Sequence, residues 1–399
     1  MVRGIPGLLI VLAACFDPAL PQGAPCDNGQ LCPPGQFCSV ERVCTRIARD
    51  GGDGDGDGDG DGGVDGGVDG DGNLGDPVEP HELSGSSNCR IESPVLRQAL
   101  AVDQGDRVYL AASCDDEAAV AVSVDGGATF RAFSMLGIQT VADDVVSIVA
   151  GADGKAVVTA LTMNGIVASV TDDGGASWSS AQPVADAGPS QVGISMAFEG
   201  NVVLVAAEDG PDLRVSRNDS FGVGNWTSTT IQTPIVYGDV LMIGGSAFVV
   251  GDTPQIVVHE STDSGQSFGP DTMPVGQGVQ YSDWDLTGDS IVGVGTGMDA
   301  RRLAVDDLSV VEELELGLPM TSPRQRTVSA LSSGEFFVGS HEGGDSVYVY
   351  QFRANGSTDR RRVDDGDEAS VFAVSEGVVL ITYRKDGALW FTAQVFGAQ

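Results

Sequence analysis

The stretch "SVDGGATF", residues 123–130, returns with small changes as "TDDGGASW" at 171–178 and "STDSGQSF" at 261–268. The shared form is Ser/Thr-x-Asp-x-Gly-x-Ser/Thr-aromatic. Each residue type suits a tight turn. The Asp accepts hydrogen bonds from backbone amides that follow it. The Gly takes a left-handed backbone without steric cost. The hydroxyls satisfy further turn groups, and the aromatic ring can be buried between sheets. A degenerate fourth copy reads "SRNDSFGVGNW", 216–226, with Asn218 in the Asp position. Asp125, Asp173, Asn218 and Asp263 then lie 48, 45 and 45 residues apart.

That spacing is the period of a larger repeat. Glycine-led apolar strands begin at Gly105, Gly154, Gly200, Gly245, Gly288, Gly334 and Gly377, separated by 43 to 49 residues. Each is rich in β-branched residues and alternates, and no long helical pattern interrupts them. In the second copy, "VSIVAGA", "KAVVTALTM", "IVASVT" and "SWSSAQPV" are separated by Asp-Gly, Asn-Gly and "DDGG" turns, which makes a four-stranded meander. Seven such copies predict an all-β, seven-bladed β-propeller of four-stranded antiparallel blades.

The last blade is one strand short. "SVFAVS", "VVLITYR" and "ALWFTAQVF" supply three strands before Gln399. The spare extended stretch "NCRIESPVL", Asn88–Leu96, is expected to become its outer strand and close the ring. Cys89 and Cys114 flank that closure. A disulfide between them would staple it, provided the two strand ends face the same rim.

The chain ahead of the repeats divides into three. "MVRGIPGLLIVLAAC" carries one Arg and a short apolar run, too short to span a bilayer as a helix, and reads as a signal peptide over 1–14. "LAAC" at 12–15 resembles the lipobox of bacterial lipoproteins. The resemblance implies cleavage before Cys15, lipidation of its thiol, and a chain anchored to a membrane, in a bacterial cell envelope and on the outer membrane. Of the seven cysteines, Cys26, Cys32, Cys38 and Cys44 are evenly spaced in a stretch too small to hold a core. With Cys15 spent on lipid, these four join Cys89 and Cys114 in an even set that can pair fully. Residues 15–49 are read as a small disulfide module, its connectivity left open. Asp50–Asp76 holds ten Asp and no Lys or Arg; the tract to 85 reads as an acidic, self-repelling linker. The propeller is placed at 86–399.

A formal net charge of −36 argues against nucleic acid, which needs clustered Lys and Arg. The three histidines, His81, His259 and His341, have no metal-ligand spacing. No cofactor or metal is expected.

The repeated turn resembles the Asp-box, or BNR, repeat of sialidase-like β-propellers, on four of seven blades. The resemblance gives a structural role to Ser123, Asp125, Gly127 and Phe130, to Thr171, Asp173, Gly175 and Trp178, and to Ser261, Asp263, Gly265 and Phe268. It places ligands on the opposite rim. Candidates there are Arg97, Asp144, Gln191, Asp239, Tyr281, Asp283, Arg326 and Glu368 near the inner strands, with Asp115, Asp116, Trp284, His341, Glu342 and Arg384 further out. Three function classes follow: a non-catalytic scaffold binding protein or glycan, a sialidase-like glycoside hydrolase, or an assembly factor. The hydrolase would need a Tyr nucleophile with a carboxylate, an acid and an arginine cluster. Tyr281, Glu368, Asp144, Arg97, Arg326 and Arg384 supply those types. Yet sialidases have six blades and open with Arg-Ile-Pro, where this chain has "CRIESP" at 89–94 with Glu92 in place of that Pro. The binding class is therefore preferred.

Overall fold

The computed structural model describes residues 37–38, 44–45, 74, 76–91, 99–141, 146–185, 194–209, 212–232, 236–252, 256–270, 281–295, 299–315, 326–342 and 346–396. The chain divides into two units, Met1–Gly67 and Val68–Gln399. Within the first, Phe37–Cys38 pairs antiparallel with Cys44–Thr45, which sets Cys38 opposite Cys44. Cys15, Cys26 and Cys32 lie outside the described residues.

The second unit is a seven-bladed β-propeller. Blade 2 shows the pattern: Val146–Ala150, Ala156–Thr162, Gly165–Thr171 and Gln182–Ala185 pair in order as one antiparallel sheet. Blades 3, 5 and 6 repeat it from Ile194, Tyr281 and Arg326, and three strands of blade 4 are described from Val236. Tight turns make these meanders local. Asp115 and Asp116 both take positive φ in the two-residue link between Val108–Cys114 and Glu117–Ser123, the geometry that matches the twist of a hairpin.

Seven buried apolar clusters hold the blades, one between each neighbouring pair. Tyr109, Val122, Ile148 and Val158 lie between blades 1 and 2. Leu110, Leu380, Leu389 and Phe391 lie between blades 7 and 1. The core is thus a ring of thin layers, and each blade needs both neighbours to bury its two faces.

The ring is closed by an N-terminal strand, but not the expected one. Val78–Glu82 is the outer strand of blade 7, pairing with Ala388–Val395 through Val78 and Ala393, His81 and Phe391, Glu82 and Trp390. Residues read as the end of the linker therefore belong to the propeller sheet. The run Val-Glu-Pro-His-Glu hides its nature because Pro80 reads as a break. On an edge strand its missing N–H is not needed, and the register shifts between Val78 and His81 around it. Just beyond, Leu83 N donates to Leu389 O at 2.9 Å, and the buried Ser86 hydroxyl receives Leu389 N at 2.9 Å.

The described part of the stretch expected to close blade 7, Asn88–Ile91, instead joins blade 1. Cys89 and Arg90 pair with Cys114 and Ser113, on the same edge of Val108–Cys114 that Leu100–Val102 occupies. Cys89 is thus directly opposite Cys114, with Cα atoms 3.9 Å apart, and the two form a disulfide. The concern that they sit on opposite rims disappears because both are in one blade.

Candidate functional site

The inner strands are laced together by their own side chains. Asp239 Oδ2 on blade 4 accepts Trp284 N of blade 5 at 3.0 Å. Asp283 Oδ2 accepts Val328 N of blade 6 at 2.6 Å, and Asp285 Oδ2 accepts Ala330 N at 2.7 Å. Ser195 receives Val240 N at 3.2 Å, and Ser329 receives Ala373 N at 2.9 Å. Each pair is 44 or 45 residues apart, one blade on. Asp239 and Asp283 are both 1% exposed. A buried amide without a partner costs about 1–3 kcal/mol, so these carboxylates act as ties between blades.

The other sequence candidates scatter. Arg326 is buried and donates Nη1 to Gly295 O at 2.7 Å. Gly295 is the strand partner of Tyr281, so Arg326 does lie beside that strand. Trp284 is buried with its ring against Gly293. Asp115 and Asp116 make a hairpin turn. Half-buried His341 is the penultimate residue of Phe336–Glu342, the second strand of blade 6. Arg384 lines a polar hollow of about 660 Å³ with Asp365, Asp367, Lys385 and Asp386, between blades 6 and 7. Neither this hollow nor the cavity at the propeller axis is lined by Arg326. Arg97, Asp144 and Gln191 lie outside the described residues. For Tyr281, Glu342 and Glu368 only the strand position is described.

The three repeated turns carry one hydrogen-bond pattern. Ser123 Oγ donates to Asp125 Oδ1 at 2.6 Å and receives Gly127 N at 2.8 Å, while Asp125 Oδ1 accepts Thr129 N at 2.8 Å. Thr171, Asp173, Gly175 and Ser177 repeat it, as do Ser261, Asp263, Gly265 and Ser267. Hydrogen bonds from the Ser177 and Ser267 hydroxyls and amides hold the Asp173 and Asp263 carboxyls down at about 2. The fourth turn is built differently. Asn218 Oδ1 receives Gly222 N at 2.8 Å, the bond made elsewhere by the Ser/Thr hydroxyl. Asn218 therefore stands in the hydroxyl position, two residues earlier in the turn than the expected Asp position.

Each turn is wedged against the preceding blade. A Cβ on Gly175 would meet Val122 of blade 1 at 2.6 Å, and one on Gly265 would meet Leu204 of blade 3 at 2.7 Å. Gly127 meets Phe391 of blade 7 in the same way, at 2.4 Å. Trp178 and Phe268 pack into the same interfaces.

The concavity at the axis is a cavity of about 270 Å³. Its wall comes from the inner strands of blades 1 to 5 and 7, and includes Leu100, Ile148, Phe198, Leu241, Met242, Leu286 and Phe372, with one ionisable group, Asp285. Burial pushes the Asp285 carboxyl up to about 6; amide hydrogen bonds from Ala330 and Leu286 pull it down, and Asp239 raises it. Most lining residues lie in the later part of their strands. In an antiparallel meander the inner and third strands finish at the same end. The cavity is therefore at the end that bears the repeated turns; the loops into the inner strands, on the rim to which the resemblance pointed, lie largely outside the described residues.

No protein-family model matches the chain, and no curated protein matches it significantly. Solved structures do. "YCF48 bound to D1 peptide" aligns with a TM-score of 0.52 at 12% identity, over 81% of this chain and 96% of that one. "YCF48 from Cyanidioschyzon merolae" aligns with a TM-score of 0.50 at 14% identity, over 79% and 98%. A chain of "Crystal Structure of Mitotic Checkpoint Complex" aligns with a TM-score of 0.55 at 11% identity, over 82% and 96%. At such identity the likeness is one of fold.

Sequence reasoning missed Asp285, Ser195 and Glu335. The Glu335 carboxylate accepts Gly377 N at 2.7 Å, tying blade 6 to blade 7. Their signal was present as a polar side chain about one blade period before the residue whose amide it receives, but no single motif shows it.

Proposed function

We propose that this chain is a lipid-anchored, non-catalytic binding propeller of the Asp-box kind. Its lipid would be carried on Cys15, in a bacterial cell envelope, and its partner would be a protein segment. One observation carries the choice of binding over catalysis. Asp239, Asp283 and Arg326, the described residues best suited to chemistry, are consumed in tying blades, and the axial cavity they leave is mainly apolar. Small-molecule and side-chain sites are built in this way, with an apolar wall and few polar groups. A peptide complex of a structurally similar propeller, named for the D1 peptide, supports a protein ligand over a glycan.

The sialidase-like alternative has one point in its favour, the nearness of Arg326 to the Tyr281 strand. A fluorogenic sialoside assay tests it. No turnover is expected from wild type. Turnover that disappears in Tyr281→Phe would establish the enzyme and remove the binding reading. For the anchor, labelled palmitate is expected in wild type and absent from Cys15→Ala; equal labelling would refute lipidation at that thiol.

A further inference from the structure

The axial cavity combines three properties. Its wall is hydrocarbon from six blades. Several of those side chains face solvent in part: Phe198 is 37% exposed, and Val102, Met242, Leu286 and Phe372 are half-buried. Exposed apolar groups gathered on a concave surface mark a place where something is bound. At about 270 Å³ the space is just under the ~300–1,000 Å³ of drug-sized sites, so its occupant is small.

The third property is the lone carboxylate. Asp285 Oδ1 accepts Leu286 N at 2.7 Å and Oδ2 accepts Ala330 N at 2.7 Å. The Ser329 side chain also favours its charged form. A carboxylate offers about four acceptor sites, so room for one more donor remains. Among the described residues no basic side chain is paired with Asp285. The charge that acts on it is negative, that of Asp239 on blade 4.

We propose that this cavity is a binding site for a small apolar ammonium, its hydrocarbon covered by the inner-strand side chains and its N–H donors directed to Asp285. The competing chemistries fit less well. A hard metal ion wants six or more oxygens, and one carboxylate in a hydrocarbon wall does not supply them. An anion would meet Asp285 and a chain of −36. A neutral apolar ligand would displace water from the carboxylate without adding a donor or a counter-charge, a cost that an ammonium recovers. The inference rests on the reading that this propeller binds rather than catalyses.

The test is calorimetric titration of the full chain at pH 8 with 2-phenylethylamine and with its neutral counterpart, 2-phenylethanol. The amine is expected to bind about tenfold tighter or better, and Asp285→Asn is expected to bring it down to the alcohol. Equal affinity for the two probes, or an amine affinity unchanged in Asp285→Asn, overturns the proposal. Asn keeps an acceptor for Ala330 N. If that variant does not melt cooperatively, Phe198→Ala takes its place, because it removes a partly exposed wall ring; amine binding should weaken several-fold, and unchanged binding overturns the proposal. The parent reading fails separately, through sialoside turnover. A chain that neither turns over sialoside nor binds the amine loses this site alone.

Discussion

Blades 1 to 4 and blades 5 to 7 solve one problem with different chemistry. In the first group each third strand ends in a hydrogen-bonded turn whose glycine is pressed into the preceding blade, as Gly175 is against Val122. Blade 5 has no such turn; Leu308, at positive φ, fills the corresponding place and is buried in the cluster between blades 4 and 5. Side chains of blade 3, Ser195 and Glu199, already receive amides of blade 4. From blade 4 onward, where the next blade has no such turn, Asp239, Asp283, Asp285, Ser329 and Glu335 each receive an amide of the next blade. The interfaces up to that between blades 3 and 4 carry the turn clasp, and those from blade 4 to blade 7 carry side-chain ties without it. The axial carboxylates Asp239 and Asp283, which looked like a site in the sequence, span interfaces without the turn clasp.

The largest test concerns whether either group stands alone. If it did, a chain starting at residue 86 would lose only the outer strand of blade 7 and keep a cooperative melt. The expected outcome is loss of the cooperative transition, because blade 7 of the second group packs against blade 1 of the first and its edge would be open. A chain starting at residue 74 keeps Val78–Glu82 and is expected to melt like the full propeller by differential scanning calorimetry.

Next comes the turn clasp itself. Gly265→Ala places a Cβ 2.7 Å from Leu204 at φ +82, and should cost about 2–4 kcal/mol from backbone strain and overpacking together. Gly356→Ala, at φ +81 with nothing within 4 Å, should cost only about 1 kcal/mol. Equal urea midpoints would mean that the wedge contributes nothing.

The axial ties are expected to be individually weaker. Asp283→Ala strands the buried Val328 N–H and should cost about 1–3 kcal/mol, read as a shift in urea midpoint. Asp283→Asn, which can still accept, should cost less.

The smallest effect is on pH dependence, and here the two groups have opposite signs. Asp173 and Asp263 are held near 2, below their unfolded value near 4. The stability they give is present above that value and is lost as pH falls toward 2. Asp285 is raised to about 6, so its contribution is full below about 4 and is lost as pH rises through 6. Urea midpoints should peak between those limits. Asp285→Asn should flatten the higher-pH limb alone, and a variant that flattens both would break the assignment.

Much of the fold was legible because the period was. Seven glycine-led strands count seven blades whatever the blades contain. The closing strand was not legible, since Pro80 and the charges of Val78–Glu82 imitate linker, and an edge strand needs only half the signals of a central one. Asn218 was misplaced by two residues because its side chain does a hydroxyl's work. Asp239 and Asp283 could not be told from site residues by inspection, because their partners lie 45 residues away and are backbone amides that every residue but proline carries.

The order of the closing elements along the chain also fixes how the molecule carries load. Tension applied through residues before Val78 falls first on five residues of edge strand, held to blade 7 by backbone hydrogen bonds. If that strand peels, the pull passes to Cys89, which is covalently joined to Cys114 on the neighbouring blade. Peeling can therefore open the seam between blades 7 and 1, but it meets a covalent stop at Cys89. The strap yields before the body does, and its free end stays fastened within reach of the groove it left.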